Sequence, residues 1–257
     1  MIIDCHTHWN GSADLEAATA ASGWLQILHL HGVTGAVVLP TLGLFDASRL
    51  AEDNDRVAAI CAASGGHMIP FCTVNPWWGQ RAVAEFRRCL ETLGHRGLKI
   101  HPWLQGVSPN CGEMDPLCEL AGEKNVPVLW HDGTPCFSLP SQIALLAERH
   151  PNTTFVLGHF GLFEHWREAI AAINHTPNLW GCLCGPHVAA LKEIVCGCDL
   201  QRLVWGSDYG FSSVDVVGYR LELLDHLNLN SRQKDAILGD NPQRLFASKS
   251  IVPTTSF

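Results

Sequence analysis

Short apolar runs of β-forming residues recur along this chain, with helix-like patterns between them, and almost every run closes on Gly, Pro, His or Asp. They cover residues 2–8, 35–40, 68–74, 97–101, 126–131, 154–159, 179–184 and 202–208. Such alternation marks repeated βα units. In the stretch 80–94, QRAVAEFRRCLETLG, Val83, Phe86, Leu90 and Leu93 recur at three- and four-residue intervals. That spacing predicts one helix with one buried face, stopped by Gly94. In 139–151, Pro140 suits a helix start and Pro151 ends it. The span 215–246 reads as two helices broken near NLNS, with Ser231 as the N-cap of the second.

Eight βα units in 257 residues favour a closed (β/α)8 barrel, a TIM barrel, over an open doubly wound sheet. One domain is expected over residues 1–247, followed by a polar tail at 248–257 that frays or packs loosely. With 47% hydrophobic and only 16% charged residues, the composition suits a compact body with buried strands.

A net charge of −8 and the lack of any Lys/Arg run argue against a nucleic-acid partner. No apolar run approaches the roughly 18 residues of a membrane span, and no cationic leader opens the sequence. A cytoplasmic enzyme acting on a small molecule is the expectation, with a homodimer as an open possibility. The eleven cysteines then read as reduced thiols. Cys182, Cys184, Cys196 and Cys198 admit a four-thiolate zinc site, but the pairs fall at opposite ends of one βα unit, which favours small core residues.

In a barrel of this kind the active site lies at the C-terminal ends of the strands. Strand one ends in Asp4-Cys5-His6-Thr7-His8, where the period of two brings His6 and His8 to one face with Asp4 deeper behind them. Strand four ends with Lys99 and His101, strand five with His131, strand six with His159 and strand eight with Asp208. A lone histidine at a strand end is usually a satisfied polar residue. Imidazoles crowded with a carboxylate at one mouth repel when protonated and are costly when dry and unpaired, and a divalent cation resolves both.

These motifs, running from IDCHTH through GLKIHP, VLWHDG, VLGHFG and GSDYG to GDNPQRLF, resemble the amidohydrolase superfamily. The likeness is to its amidohydrolase-related subgroup, which includes aminocarboxymuconate-semialdehyde decarboxylase. The resemblance implies that His6, His8, His131 and Asp208 hold one metal ion, Zn2+ or alternatively Mn2+. It places His159 beside the ion as a partner for substrate or water. Asp208 would move a proton between water and leaving group, and His159 would polarise a carbonyl or hold an oxyanion.

Lys99 stays open. In two-metal members of the superfamily a carboxylated lysine on strand four bridges the ions, whereas this subgroup generally uses one; Lys99 equally reads as a partner for Asp4 or for a substrate carboxylate. Asp4 reads either as a carboxylate orienting a ligand imidazole or as half of a buried ion pair. His101, Trp9 and Trp103, with Trp77 and Trp78, fall just after strands and are candidates to wall a pocket. His187 is more in keeping with a structural role. The leading reaction is hydrolysis of a lactone, ester or cyclic amide by metal-activated water. Non-oxidative decarboxylation of an unsaturated or aromatic acid, with Arg49 or Lys99 as the seat of a second carboxylate, is the alternative, and a non-catalytic metal-binding barrel the third. No glycine-rich phosphate loop follows any strand, so no nucleotide cofactor is expected.

Overall fold

The computed structural model of the chain describes residues 1–11, 15–210 and 215–246, with the side chain of residue 215 left aside. The tail expected at 248–257, and the boundary at 247, lie outside the described residues. Each of the eight expected runs contains one strand: β1 Ile3–His8, β2 Gly35–Leu39, β3 Met68–Pro70, β4 Leu98–Ile100, β5 Val128–Trp130, β6 Phe155–Leu157, β7 Leu179–Cys182 and β8 Leu203–Val204. The main helices after them are Ala17–Leu30, Leu50–Ala62, Gln80–Glu91, Asp115–Glu123, Pro140–Arg149, Trp166–His175, Val188–Gly197 and Asp215–Asp225.

All neighbouring strands pair in parallel, as two ladders, β1-β2-β3 and β4-β5-β6-β7-β8. Single bridges, Cys72 to Leu98 and Thr7 to Tyr209, join them into a ring. The first seam has a local cause. Phe71 N donates to Val38 O on β2, so its neighbours at 70 and 72 direct their amides at β4. Cys72 N does reach Gly97 O at 3.0 Å, but Pro70 has no N–H to give. At the second seam Cys5 N donates to Trp205 O (3.0 Å), Asp208 N to His6 O (2.8 Å) and His8 N to Tyr209 O (2.7 Å). The molecule is a (β/α)8 barrel.

Its interior is narrow. Ile3, Cys5, Val37, Leu39, Phe71, Leu129, Val156, Cys182, Cys184 and Val204 fill it as one cluster, apart from the larger core between strands and helices. Phe246 packs edge-on against Phe71 at 5.9 Å, and its carbonyl accepts from Arg96, just before β4. The segment after the last helix thus plugs the end of the barrel opposite the site. Ser231 is not the expected N-cap: Asn230 takes that position, its side chain accepting from Gln233 N (3.0 Å) while the Gln233 side chain accepts from Asn230 N (2.9 Å).

Buried polar side chains bind the helix Leu50–Ala62 to the Pro70 seam. Asn54 Nδ2 donates to Thr73 O, Thr73 N donates back to Asn54 Oδ1, and Thr73 Oγ1 donates to Lys99 O, each at 2.9 Å. His95 Nε2 meets Asn54 O at 3.1 Å. Burial lowers the His95 imidazole to about 4, so the folded chain keeps it neutral where the unfolded chain protonates it. Between roughly pH 4 and 6.5 the unfolded state binds more protons, so this contribution is full above the window and is lost as pH falls through it. His95→Gln, which can still donate to Asn54 O, should flatten the pH dependence of unfolding free energy over that window. The difference should reach roughly 3 kcal/mol. Denaturant titrations at pH 4.5 and 7.5 check it, and equal slopes in both proteins would remove His95 from the account.

Candidate metal centre

The centre begins with a bulge. β1 pairs Asp4 with Ala36 and then Thr7 with Val38, so one extra residue sits between them. The period of two breaks there: Ile3 and Cys5 face the barrel core, and His6 and His8 face the centre above it. Asp4 therefore does not stand behind the imidazoles as its sequence parity suggests. Its Oδ1 accepts from two backbone amides, His6 N at 3.1 Å and Ser207 N at 2.9 Å, and so clamps β1 to the end of β8. Burial raises this carboxyl to about 7.

His6 is oriented from behind. Its Nδ1–H donates to Gly158 O at 3.0 Å, which leaves the Nε2 lone pair for the centre. There is no room to move it, since a Cβ at Gly158 would lie 3.0 Å from His6 Cε1 and one at Gly206 2.7 Å from His6 Cβ. His8 bonds the Pro40 carbonyl. His6 Nε2 and His8 Nε2 stand 3.1 Å apart, and Asp208 Oδ1 lies 3.6 Å from each. Asp208 adopts φ +62°, a left-handed conformation that costs a non-glycine residue roughly 1–2 kcal/mol. Gly210 follows at φ +110°, where a Cβ would fall 1.8 Å from His8 O. The end of β8 is thus pressed onto β1 by design of the backbone.

The three groups fit a divalent cation. Burial, and next the charge of Lys99, hold both imidazoles well below their ordinary pKa, so they are neutral ligands. Asp208 Oδ1 is shielded and has no hydrogen-bond donor, although the side chain as a whole is 30% exposed. Bonds of about 2.0–2.2 Å to one tetrahedral ion imply ligand separations of roughly 3.3–3.6 Å, the range seen here to within a few tenths.

Of the other expected ligands and neighbours, His131 stands apart from this compact group: its Nε2 meets Thr134 Oγ1 at 3.0 Å, and its ring stacks on His101 at 3.8 Å and 11°. His159 lies between, with ring centroids 4.7 Å from His6 and 4.5 Å from His131. Lys99 is fully buried and points its Nζ at His6 Nε2, 3.3 Å away, rather than at Asp4. Burial lowers its amine to about 8. His101 is lowered to about 3 by burial, then by Lys99, and its Nδ1 accepts from Leu104 N at 3.5 Å.

Trp9 does not wall the pocket. It is only 4% exposed and packs on Trp24 at 5.3 Å in the strand–helix core, because alternation along the strand turns it to the face opposite His8. Trp103 is 58% exposed and pairs with Phe137 at 6.2 Å; Trp77 is exposed too. His187 caps the helix Val188–Gly197 by accepting from Ala190 N. Arg49 is tied to Glu52 on the surface at 2.7 Å. Cys182 and Cys184 are buried whereas Cys196 is exposed, and the four thiols form no common group among the described residues.

Asp132 and Thr134 went unread in the sequence, and Cys184 was read only as a core or zinc thiol. Asp132, next to His131, accepts from His159 N and Gly161 N, both at 2.6 Å, and fixes the turn after β6. Thr134 holds His131. Cys184 Sγ lies 2.8 Å from Gly158 O and 3.1 Å from His159 Nδ1, and forms a second compact group with His6 and His159. Only the adjacency in HDG and the shared parity of Cys182 and Cys184 hinted at them.

The amidohydrolase family profile matches residues 3–247. Among solved structures, the chain is similar to an uncharacterized TIM-barrel protein from Bordetella bronchiseptica, with TM-score 0.76 and 16% identity over 96% of this chain and 98% of that one. It is similar to 2,6-dihydroxybenzoate decarboxylase from Rhizobium (TM-score 0.72, 16% identity, 95% and 98% covered). A 5-carboxyvanillate decarboxylase from Novosphingobium aromaticivorans with bound manganese gives TM-score 0.72 and 15% identity, with 96% and 97% covered. At such identities the likeness speaks for the fold alone. No curated protein matches the chain. The profile match spans nearly the whole barrel and every residue of the His6, His8 and Asp208 group: the chain belongs to the amidohydrolase family.

Proposed function

We propose that this protein is a metal-dependent hydrolase acting on a C–O or C–N bond of a small molecule, a lactone, ester or cyclic amide. The observation that carries the reading is Asp208 Oδ1, shielded, without a donor and 3.6 Å from the Nε2 atoms of His6 and His8. His6, His8 and Asp208 would hold the ion, zinc or manganese, with His131 as the further ligand that the family resemblance implies. Once bound, the ion supplies Lewis acidity to a substrate oxygen and makes water acidic enough to ionise near neutral pH. Asp208 takes the proton from the attacking water and returns it to the leaving group.

His159 has a different part from the oxyanion donor first expected. The Cys184 thiol donates to Gly158 O at 2.8 Å, which leaves its sulfur lone pairs facing His159. Sulfur then accepts from His159 Nδ1–H at 3.1 Å, and burial keeps the ring neutral. His159 Nε2 is left as an acceptor, fit to orient water.

Non-oxidative decarboxylation is the second reading. It is favoured by the two similar decarboxylases and by the buried Lys99 amine beside the centre, a cation suited to a carboxylate.

Asp208→Asn should retain part of the metal, measured by elemental analysis, while turnover falls roughly 100- to 10,000-fold. A panel of lactones, esters, cyclic amides and aromatic acids, followed for acid and carbon dioxide, supplies the substrate. Near-wild-type rates in Asp208→Asn would remove its proton-transfer role, and carbon dioxide release without incorporation of solvent oxygen would overturn hydrolysis. Cys184→Ala should lower kcat roughly tenfold with KM and metal content little changed, and Cys184→Ser should recover most of the loss. Equal rates in all three proteins would contradict the assignment of His159.

A further inference from the structure

Six large aromatic side chains are exposed among the described residues, and five of them stand one apiece on the consecutive loops after β2 to β6: Phe45, Trp77, Trp103, Phe137 and Phe163. All five therefore lie at the end of the barrel that carries the metal centre. They form one surface. The turn Leu42–Phe45 contacts Pro102–Gln105, Trp77 Nε1 donates to Gly106 O at 3.2 Å, and the rings of Trp103 and Phe137 stand 6.2 Å apart. A Cβ on Gly133 would fall 2.4 Å from Gly161 C, so the loop bearing Phe137 lies directly on the one bearing Phe163.

Charge is missing from this surface. Residues 41–45, 75–80, 101–112, 133–139 and 160–163 contain no Asp, Glu, Lys or Arg, and the flanking Asp46, Arg81, Glu113 and Glu164 are exposed at its margin. An aromatic centre inside a charged border is the anatomy of a protein–protein contact. The five side chains are between 38% and 64% exposed. At about 150–250 Å² for each fully exposed ring they present roughly 500 Å² of apolar area. That is close to the apolar share of the roughly 800 Å² that each partner gives to a standard interface.

Charge also selects the occupant. The chain carries a net −8, so two copies repel wherever their acidic surfaces face each other, and this neutral face is where they can meet without that cost. A neutral apolar patch is complementary to itself, as a two-fold contact requires. Nucleic acid or acidic lipid would need Lys or Arg here, and a basic partner would need acids. We propose that the rim formed by the loops after β2 to β6 is the contact face between two copies of this chain, with Trp77, Trp103 and Phe137 at its centre. The dimer stands apart from the question of which reaction the metal centre performs. Two exposed thiols report on it: Cys136 lies beside Phe137 on the rim, and Cys196 lies in the last turn of the helix Val188–Gly197, which runs back to the other end of the barrel.

The test is sedimentation velocity of the full chain from submicromolar to tens of micromolar concentrations at physiological salt. Wild type should sediment as a dimer in the micromolar range. Trp103→Glu and Phe137→Glu each bring acids into the apolar contact from both copies and should raise the dissociation constant at least about 30-fold. Trp103→Ala, which only removes area, should fall between and guards against misfolding of the Glu variants, whereas Leu145→Glu, exposed on the helix Pro140–Arg149, should match wild type. Alkylation by iodoacetamide, read by peptide mass, should be at least about tenfold slower at Cys136 in wild type than in Trp103→Glu, with Cys196 reacting alike in both. A wild type that is monomeric throughout overturns the proposal. So does a dimer that survives both Glu substitutions with Cys136 still alkylated as fast as Cys196. Monomeric wild type that binds phosphatidylcholine vesicles, with binding lost in Trp103→Glu, would make the occupant a lipid surface and overturn it as well.

Discussion

Everything at the mouth of this barrel depends on how β8 closes against β1. Three backbone hydrogen bonds make that seam, and the Asp4 carboxylate spans it by accepting from His6 N and Ser207 N together. Because Asp208 N is bonded to His6 O, the carboxylate of Asp208 is carried over the two imidazoles of β1. The left-handed turn at Asp208 and the glycine at 210 let the chain pass close enough for this to happen. A looser seam would still give a barrel, but the three ligand atoms would no longer meet.

The electrostatics follow from the closure. Burial makes the imidazoles neutral and lowers Lys99, while Asp208 Oδ1 is left without a donor. A carboxylate oxygen and two lone pairs lie within 3.6 Å of one another with the Lys99 amine meeting only His6 Nε2, an arrangement that a cation satisfies more fully. The same frame orients the second tier of groups: Gly158 O fixes His6, and Cys184 fixes His159. Metal sites are commonly tuned through such outer contacts.

The fold was legible because each strand is a short apolar run and each run ends in a chemically distinctive residue. Strand ends carry the site, so His6, His8, His159 and Asp208 could be placed on one rim from spacing alone. A parity argument failed where the backbone departed from the period of two: the bulge in β1 moved Asp4 away from the imidazoles. Trp9 was misplaced for the opposite reason, since alternation past His8 puts it on the strand–helix face, and its position just after the strand was read without that parity. Asp132 and the part played by Cys184 were illegible for another reason. Each acts through a partner distant in sequence, Gly161 and Gly158, and no local pattern reports that pairing.

X-ray absorption at the zinc edge of the zinc-loaded protein addresses the centre most directly. Two compact groups share His6: one completed by His8 and Asp208, the other by His159 and Cys184. The account predicts a shell of nitrogen and oxygen at roughly 2.0–2.2 Å, imidazole scattering from at least two rings, and no sulfur. A sulfur neighbour at roughly 2.3 Å, or protein that retains no stoichiometric ion, would contradict it.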